Sequence, residues 1–189
     1  YNPQEVYAAQ QEFSDELLTQ FSGKLSIKPQ LVRNHNNNQW EVFIQDSASF
    51  ISLLDDQGEL LWTDSLGESI TTKIYQVDFY KNRKLQYLFA TDSLIHIVDR
   101  NGVEIDGYPK SIPDTQISEL YLLDYDKSRN YRFLVADPTG NLSMLNKEGE
   151  ILEGWNPLAI NSEISNQVFH VRVRGKDRVF IGLKNGNIE

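Results

Sequence analysis

The chain contains the segment Ile74-Tyr75-Gln76-Val77-Asp78-Phe79-Tyr80-Lys81 and, 46 residues later, the similar segment Leu120-Tyr121-Leu122-Leu123-Asp124-Tyr125-Asp126-Lys127. The similarity continues downstream, where Tyr87-Leu88-Phe89-Ala90 matches Phe133-Leu134-Val135-Ala136. A repeat of about 45 residues that is built from short apolar runs is typical of a β-propeller blade, a small antiparallel sheet stacked against its neighbours. The repeats therefore predict an all-β fold.

Three turn sequences occur at matching places in the repeats. Each begins with Asp or Asn and ends with Gly, and they follow one another at offsets of 44 and 47 residues: Asp55-Asp56-Gln57-Gly58, Asp99-Arg100-Asn101-Gly102 and Asn146-Lys147-Glu148-Gly149. This pattern is typical of a type I turn followed by a residue at positive φ, which glycine adopts without strain. Each turn therefore predicts a hairpin at the same place in successive repeats.

The strand-like runs divide the chain into blades. We predict blades over residues 29–70, 71–113 and 114–160, and an incomplete blade over residues 161–189, with outer strands that include residues 103–105 and 150–152. Inner strands of a blade are buried on both faces and are therefore apolar almost throughout, as in Val179-Phe180-Ile181-Gly182. The predicted fold is a partial β-propeller of about three and a half to four four-stranded blades.

Residues 1–24 show a different pattern, which predicts one amphipathic helix before the blades. Asn2 can cap this helix, Pro3 suits its first position, and Gly23 can end it in a left-handed conformation. One face carries apolar residues at helical spacing, namely Val6, Ala9, Phe13, Leu17 and Phe21. This stripe either packs against the rest of the protein or docks on a partner.

Composition restricts the classes of function. The 189 residues carry 18 Lys and Arg against 27 Asp and Glu, a net charge of −9, so nucleic acid and anionic membrane surfaces would be repelled on average. The absence of cysteine excludes disulfides and thiolate metal sites. No run approaches the roughly 20 apolar residues that span a bilayer. The chain begins at Tyr1 and stops within the repeat pattern at Glu189, which we interpret as a fragment of a longer protein.

Two sequence patterns resemble those of bacterial propeller families. The segment Leu54-Asp55-Asp56-Gln57-Gly58-Glu59-Leu60-Leu61-Trp62 resembles the quinoprotein repeat, in which a tryptophan four residues after the turn glycine packs between blades. The segments Asp106-Gly107-Tyr108-Pro109 and Glu153-Gly154-Trp155-Asn156-Pro157 are similar to the repeat endings of FG-GAP-type propellers. The resemblance covers about residues 29–189 and implies a β-propeller without fixing its function, since such propellers include enzymes, receptors and scaffolds.

The FG-GAP-type repeat also contains a loop whose alternate carboxylates resemble a calcium site, and the third blade carries part of such a loop. Asp124, Asp126 and Ser128 take its first, third and fifth positions, whereas Arg129 replaces the glycine and Arg132 replaces the last carboxylate. The loss of a carboxylate and the gain of a cation argue against bound Ca²⁺. We expect instead that the Arg132 guanidinium pairs with Asp124 or Asp126. The alternative is a solvated loop without fixed pairing.

A basic cluster near the C-terminus is the candidate interaction surface. It contains His170, Arg172 and Arg174, and strand alternation places His170 and Arg172 on the same face. The alternative interpretation is that these residues belong to solvated strand ends.

No sequence pattern for catalysis is present. The chain lacks a Gly-x-Ser-x-Gly elbow, a phosphate-binding glycine loop and a dinucleotide fingerprint. His35, His96 and His170 lie about 60 to 75 residues apart, without the paired spacing typical of metal ligands. We therefore predict no catalytic, cofactor-binding or metal-binding residue.

These observations favour a non-catalytic binding or scaffolding module with a protein partner. The resemblance implies a subunit or accessory of a complex in the bacterial cell envelope or periplasm. Two alternatives remain: a fragment of a quinoprotein-like redox enzyme, and a carbohydrate-binding propeller whose exposed aromatic residues stack on sugars.

Overall fold

The computed structural model describes residues 21, 23–155, 157–160 and 162–188, which form strands, turns and loops arranged as four antiparallel sheets. Sheet 1 contains β1 (Gln30–Arg33), β2 (Trp40–Gln45), β3 (Phe50–Leu54) and β4 (Leu60–Ser65), and sheet 2 contains β5 (Tyr75–Val77), β6 (Gln86–Ala90) and β7 (Ile95–Val98). Sheet 3 contains β8 (Glu119–Leu123), β9 (Arg132–Ala136), β10 (Asn141–Asn146) and β11 (Leu158–Ala159), and sheet 4 contains β12 (Ile164–Val173) and β13 (Lys176–Leu183). The helix predicted over residues 1–24 falls on a segment of which residues 1–20 and 22 lie outside the described residues.

The hairpins form at the predicted turn sequences. In one of them, the Asp99 carboxylate accepts hydrogen bonds from the backbone N–H groups of Asn101 and Val103, at 2.8 and 3.0 Å. Gly102 follows with φ of 84°, and a Cβ there would lie 2.9 Å from the Trp62 ring of the preceding sheet. Glycine is therefore required at this turn both for its backbone conformation and for the close approach of the next blade.

The outer strands differ from the prediction. In place of strands over residues 103–105 and 150–152, the structure has single bridges between Val98 and Glu104 and between Leu145 and Ile151. The Glu104 carboxylate accepts the backbone N–H of Ile97 at 2.9 Å, so a side chain satisfies a donor that an outer strand would otherwise pair. Sheet 2 consequently has three strands, and sheet 3 gains its fourth from residues 158–159.

Apolar side chains of neighbouring sheets pack together in three clusters. The clusters include Phe43, Leu53, Tyr87 and Phe89 between sheets 1 and 2; Leu88, Ile97, Phe133 and Val135 between sheets 2 and 3; and Leu134, Met144, Ile181 and Leu183 between sheets 3 and 4. Tyr87 and Leu88 belong to different clusters because successive side chains of a strand point to opposite faces. Sheets 2 and 3 are thus buried on both faces, which is the stacking predicted for propeller blades.

Aromatic residues near the outer edge link successive sheets. The Trp62 Nε1–H donates to the carbonyl oxygen of Arg100 at 2.7 Å, and the Tyr108 hydroxyl donates to that of Lys147, also at 2.7 Å. Both acceptors occupy the second position of the repeated turn. Trp62 therefore packs between adjacent blades, as its resemblance to the quinoprotein repeat implies, and Tyr108 makes the equivalent contact one blade later.

Candidate protein interface

The last hairpin, β12–β13, exposes apolar side chains on one face. Phe169 pairs with Phe180 across the hairpin, Gly182 bridges Ile188, and strand alternation places Val171 on the same face. Phe169 is 56% exposed, Val171 40%, Phe180 40% and Ile188 73%. Four of these residues, Phe169, Phe180, Gly182 and Ile188, line a shallow cavity of about 290 Å³. We name Phe169, Val171, Phe180, Gly182 and Ile188 the end face.

The end face consists of positions that the preceding blades bury. Strand register gives as its equivalents Tyr75, Val77, Leu88, Ala90 and Ile95 in sheet 2, and Tyr121, Leu123, Leu134, Ala136 and Leu142 in sheet 3. These equivalents pack in the clusters between their own sheet and the following one, where Leu88, Ala90 and Leu134 are fully buried. In the part of the chain that the structure describes, no sheet covers the end face. The end face therefore has the same types of residue as its equivalents in sheets 2 and 3, and differs from them in having no neighbouring sheet packed on it among the described residues.

The opposite face of the hairpin packs toward sheet 3 and carries part of the predicted basic surface. The His170 ring stacks on Tyr125 with 4.1 Å between centroids, and its Nε2 lies 3.0 Å from Oδ1 of Asp177. The Arg172 Nε lies 3.8 Å from the same oxygen. The structure thus brings His170 and Arg172 together through Asp177, whereas Arg174 lies in the hairpin turn with φ of 51°. The His170 side chain is only 14% exposed, and its contacts are with Tyr125 and Asp177 of the same chain.

The loop that resembles a calcium site is held differently from our expectation. The Arg132 guanidinium lies 5.3 Å from the centroid of the Tyr125 ring, and the described residues contain no ion pair between Arg132 and either aspartate. Instead, the Asp124 carboxylate accepts the backbone N–H of Arg129 at 3.2 Å. Asp126 bonds to Ser128, and these hydrogen bonds lower the pKa of its carboxyl group. Backbone donors, rather than Arg132, therefore organise the two aspartates.

Arg129, which replaces the loop glycine, pairs with a carboxylate of the neighbouring blade, a role that the sequence did not predict. Its Nη1 lies 2.9 Å from Oδ2 of Asp78, a carboxylate whose side chain is 5% exposed. Asp78 also accepts the backbone N–H groups of Asn82 and Arg83, at 2.8 and 2.9 Å. Arg83 and Arg129 have φ of 66° and 62° at the loop position that the calcium-type repeat fills with glycine. The recurrence of arginine at that position was the available signal, but its partner in another blade was not readable from sequence.

A histidine links sheets 1 and 2. The backbone N–H of Leu85 donates to Nδ1 of His35 at 3.1 Å, so this nitrogen acts as an acceptor. Burial, and then the positive charges of Arg100 and Lys84, hold the pKa of His35 below its ordinary value. Arg100 is itself paired with the buried carboxylate of Glu41. His35 therefore connects two hairpins in its neutral form, rather than lying free in a turn.

Metal-binding clusters and membrane-spanning helices are two other features that would indicate a function. No group of three or more His, Asp or Glu side chains within the described residues is placed to hold a metal ion. The described part of the chain contains no helix with the length and apolar character that crossing a membrane requires. The end face, where Phe169, Val171, Phe180 and Ile188 are each at least 40% exposed, is the candidate interaction site among the described residues.

Similarity to known proteins lies at the level of structure. No protein-family profile and no curated protein sequence matches the chain. BBS1N in complex with ARL6DN matches with a TM-score of 0.60 at 12% identity, over 88% of this chain and 50% of that chain. The complex of the fission yeast SREBP–SCAP binding domains matches with a TM-score of 0.58 at 11% identity, over 94% and 48%. BamB from Moraxella catarrhalis matches with a TM-score of 0.55 at 14% identity, over 84% and 44%.

The matching structures include β-propeller and WD40-like folds. Identities this low show the fold alone, and this chain spans about half the length of the structures it matches. The assignment to a quinoprotein-like or FG-GAP-like repeat type stays a prediction from sequence. The four sheets, their stacking and these similarities together show that the chain has an all-β fold, a partial β-propeller.

Proposed function

We propose that this chain is a non-catalytic binding or scaffolding module that holds a protein partner, as a subunit or accessory of a cell-envelope complex. The observation that carries the proposal is the end face, where Phe169, Phe180 and Ile188 are exposed side by side. Single apolar residues are ordinary on protein surfaces, whereas a contiguous set of them marks a contact site. A protein partner would remove these side chains from water.

The free energy gained by burying the apolar side chains of the end face supports a specific contact with a partner. Fully burying an exposed Phe, Val or Ile side chain contributes roughly 1.5–3 kcal/mol. The side chains of the end face are 40–73% exposed, so covering each of them contributes a part of that amount. The net charge of −9 favours a partner with basic groups around its apolar surface, which would also speed association. Two of the similar structures, BBS1N with ARL6DN and the SREBP–SCAP binding domains, are themselves complexes.

The location in the periplasm or cell envelope is part of the proposal. It is supported by the resemblance of the repeats to bacterial quinoprotein-type and FG-GAP-type propellers. The non-catalytic role is supported by the lack of any catalytic sequence motif in the chain.

The test compares two single substitutions in tagged protein that is cross-linked and purified from native cells after fractionation. Phe180→Glu puts a charge in the middle of the end face, and Tyr80→Glu alters a residue that is 52% exposed in the loop between β5 and β6. We expect one defined envelope protein to co-purify with the unchanged chain and with Tyr80→Glu, and about tenfold less with Phe180→Glu. Equal recovery from all three, or recovery of no protein, would contradict the proposal.

A further inference from the structure

We infer that the cavity between sheets 1 and 2 is a second binding site, which takes one unit of an acidic sugar, a hydroxylated ring that carries a single carboxylate. The cavity has a volume of about 350 Å³, at the lower end of the range for small-molecule sites. Its walls come from the loop between β1 and β2, the loop between β5 and β6, and the turn after β7. The site lies apart from the end face, and the inference does not rest on the proposed function.

Three hydrogen-bond acceptors in the walls are already engaged by the protein. The Gln86 Oε1 atom accepts the backbone N–H of Phe79 at 2.9 Å, and the Asn82 Oδ1 atom accepts that of Lys84 at 3.0 Å. The Asp99 carboxylate is held by the N–H groups of its own turn. These side chains therefore have less capacity left for a ligand that donates hydrogen bonds.

Donors, in contrast, remain free at the cavity. The His35 ring accepts the N–H of Leu85 at Nδ1, so its neutral form carries the hydrogen on Nε2. Arg100 donates to the Glu41 carboxylate through Nε and Nη2, which leaves Nη1. Within the described residues, Nε2 of His35, Nη1 of Arg100 and Nζ of Lys84 have no hydrogen-bond partner. The cavity therefore suits a ligand with strong acceptor atoms.

The charges around His35 favour an anion. Burial, and then the positive charges of Arg100 and Lys84, lower the pKa of His35. Both cations act on it more strongly than the carboxylates of Glu41 and Asp78, which act in the opposite direction. A negative group bound at the same place would offset the two cations, although the chain as a whole has a net charge of −9.

One negative charge fits the cavity better than two. Glu41 already neutralises Arg100, which leaves Lys84 as a lining cation without an ion pair among the described residues. Asp99 lies in the wall and would repel a doubly charged group such as a phosphate ester. The favoured group is therefore a carboxylate.

The rest of the ligand is identified by an aromatic ring and by amides. Tyr80 lines the cavity and is 52% exposed, so its ring offers an apolar face to a ligand. The C–H face of a sugar ring can pack on such a surface. Asn36 and Asn101 also line the cavity, and amides both donate to and accept from hydroxyl groups. A hydroxylated ring with one carboxylate, as in a uronic acid, combines these properties.

The binding test uses the purified chain and three small probes at constant pH and ionic strength. D-galacturonate carries both the ring and the carboxylate, D-galactose has the ring without the carboxylate, and acetate has the carboxylate without the ring. By calorimetry, we expect D-galacturonate to bind with a Kd of about 1 mM, and each of the other two to bind at least about tenfold more weakly.

Two lysine variants test the location of the site. Lys84→Gln removes the unpaired cation of the cavity, and Lys176→Gln makes the same change of charge at an exposed position of β13. We expect D-galacturonate to bind about tenfold more weakly to Lys84→Gln and equally well to Lys176→Gln. Lys84 is exposed as well, so both variants should fold, and their melting temperatures check this.

The pKa of His35 provides a second measure of location. A carboxylate that binds beside Arg100 and Lys84 stabilises the protonated ring. D-galacturonate should therefore raise the pKa of His35, followed by NMR of its ring protons, whereas D-galactose should leave it unchanged. The signal of His35 is identified by its absence from the spectrum of His35→Asn.

Four results would overturn the inference. They are no binding of D-galacturonate, equally tight binding of D-galactose or acetate, unchanged binding to Lys84→Gln, and a constant pKa of His35 at saturation. All four are measured on the purified chain without a protein partner. Failure here therefore leaves the proposed function intact, since that function is tested by Phe180→Glu in native cells.

Discussion

Leu88 and Phe180 occupy equivalent places in two blades, yet Leu88 is fully buried and Phe180 is 40% exposed. Both lie on the second strand of their sheet, and both are flanked by a small residue two positions later, Ala90 or Gly182. Leu88 is covered by sheet 3. The residue pattern alone is enough to form an apolar face on a blade. That face contributes to the free energy of folding only where a neighbouring sheet buries it.

The largest expected effect sharpens this comparison directly. Leu88→Ala should lower the free energy of unfolding by about 2–5 kcal/mol, because it leaves a cavity between two packed sheets. Phe180→Ala should cost less than about 1 kcal/mol, since much of its ring already contacts water. Urea unfolding, followed by tryptophan fluorescence, measures both. Equal losses would mean that the end face is covered in the isolated chain.

The second prediction contrasts two arginines of the third blade. Arg129→Ala should lower the free energy of unfolding by about 1–3 kcal/mol, because it leaves the buried Asp78 carboxylate without its cation. Arg132→Ala removes a contact with the Tyr125 ring and should cost about 0.5–1 kcal/mol. The same unfolding experiment decides between them. A larger loss of stability from Arg132→Ala than from Arg129→Ala would instead support the pairing of Arg132 with Asp124 or Asp126 that the sequence predicts.

The smallest effect concerns pH at the junction of sheets 1 and 2. The pKa of His35 is lower in the folded chain than in the unfolded chain, so the folded state binds fewer protons between the two values. Stability from this group is therefore present above about pH 6.5 and is lost as pH falls through that window. His35→Asn keeps an acceptor near Nδ1 but does not titrate. Melting temperatures measured between pH 7.5 and pH 5, at about half-unit steps, should fall less for His35→Asn than for the unchanged chain; identical slopes would argue against the role of His35.

The inner strands and hairpins could be predicted from sequence because their causes are local. Asp99 and Gly102 fix a turn within four residues, and an apolar run such as residues 87–90 reports burial on both faces. The outer strands could not be predicted in the same way. The Glu104 side chain, rather than a backbone carbonyl of an outer strand, accepts the N–H of Ile97. Whether a side chain or a backbone group accepts this hydrogen bond does not change the pattern of apolar residues, so it could not be predicted from that pattern.

The site was only partly predictable, for a different reason. His170 and Arg172 stood out by charge, but alternation alone does not say which face of a hairpin meets the next sheet. The apolar residues that alternate with them, Phe169 and Val171, resemble ordinary strand residues until the register with blades 2 and 3 is known. The pairing of Arg129 with Asp78 likewise depends on how two blades stack, which no single repeat encodes.

Within the described residues, equivalent positions of successive blades are covered by the next sheet, except at the end face. Three single-cysteine variants of the cysteine-free chain, Leu88→Cys, Leu134→Cys and Phe180→Cys, test it by their rates of alkylation under native conditions. We expect fast reaction at position 180 and reaction at least about a hundredfold slower at positions 88 and 134, where labelling requires the sheets to separate. Similar rates at all three positions would contradict it.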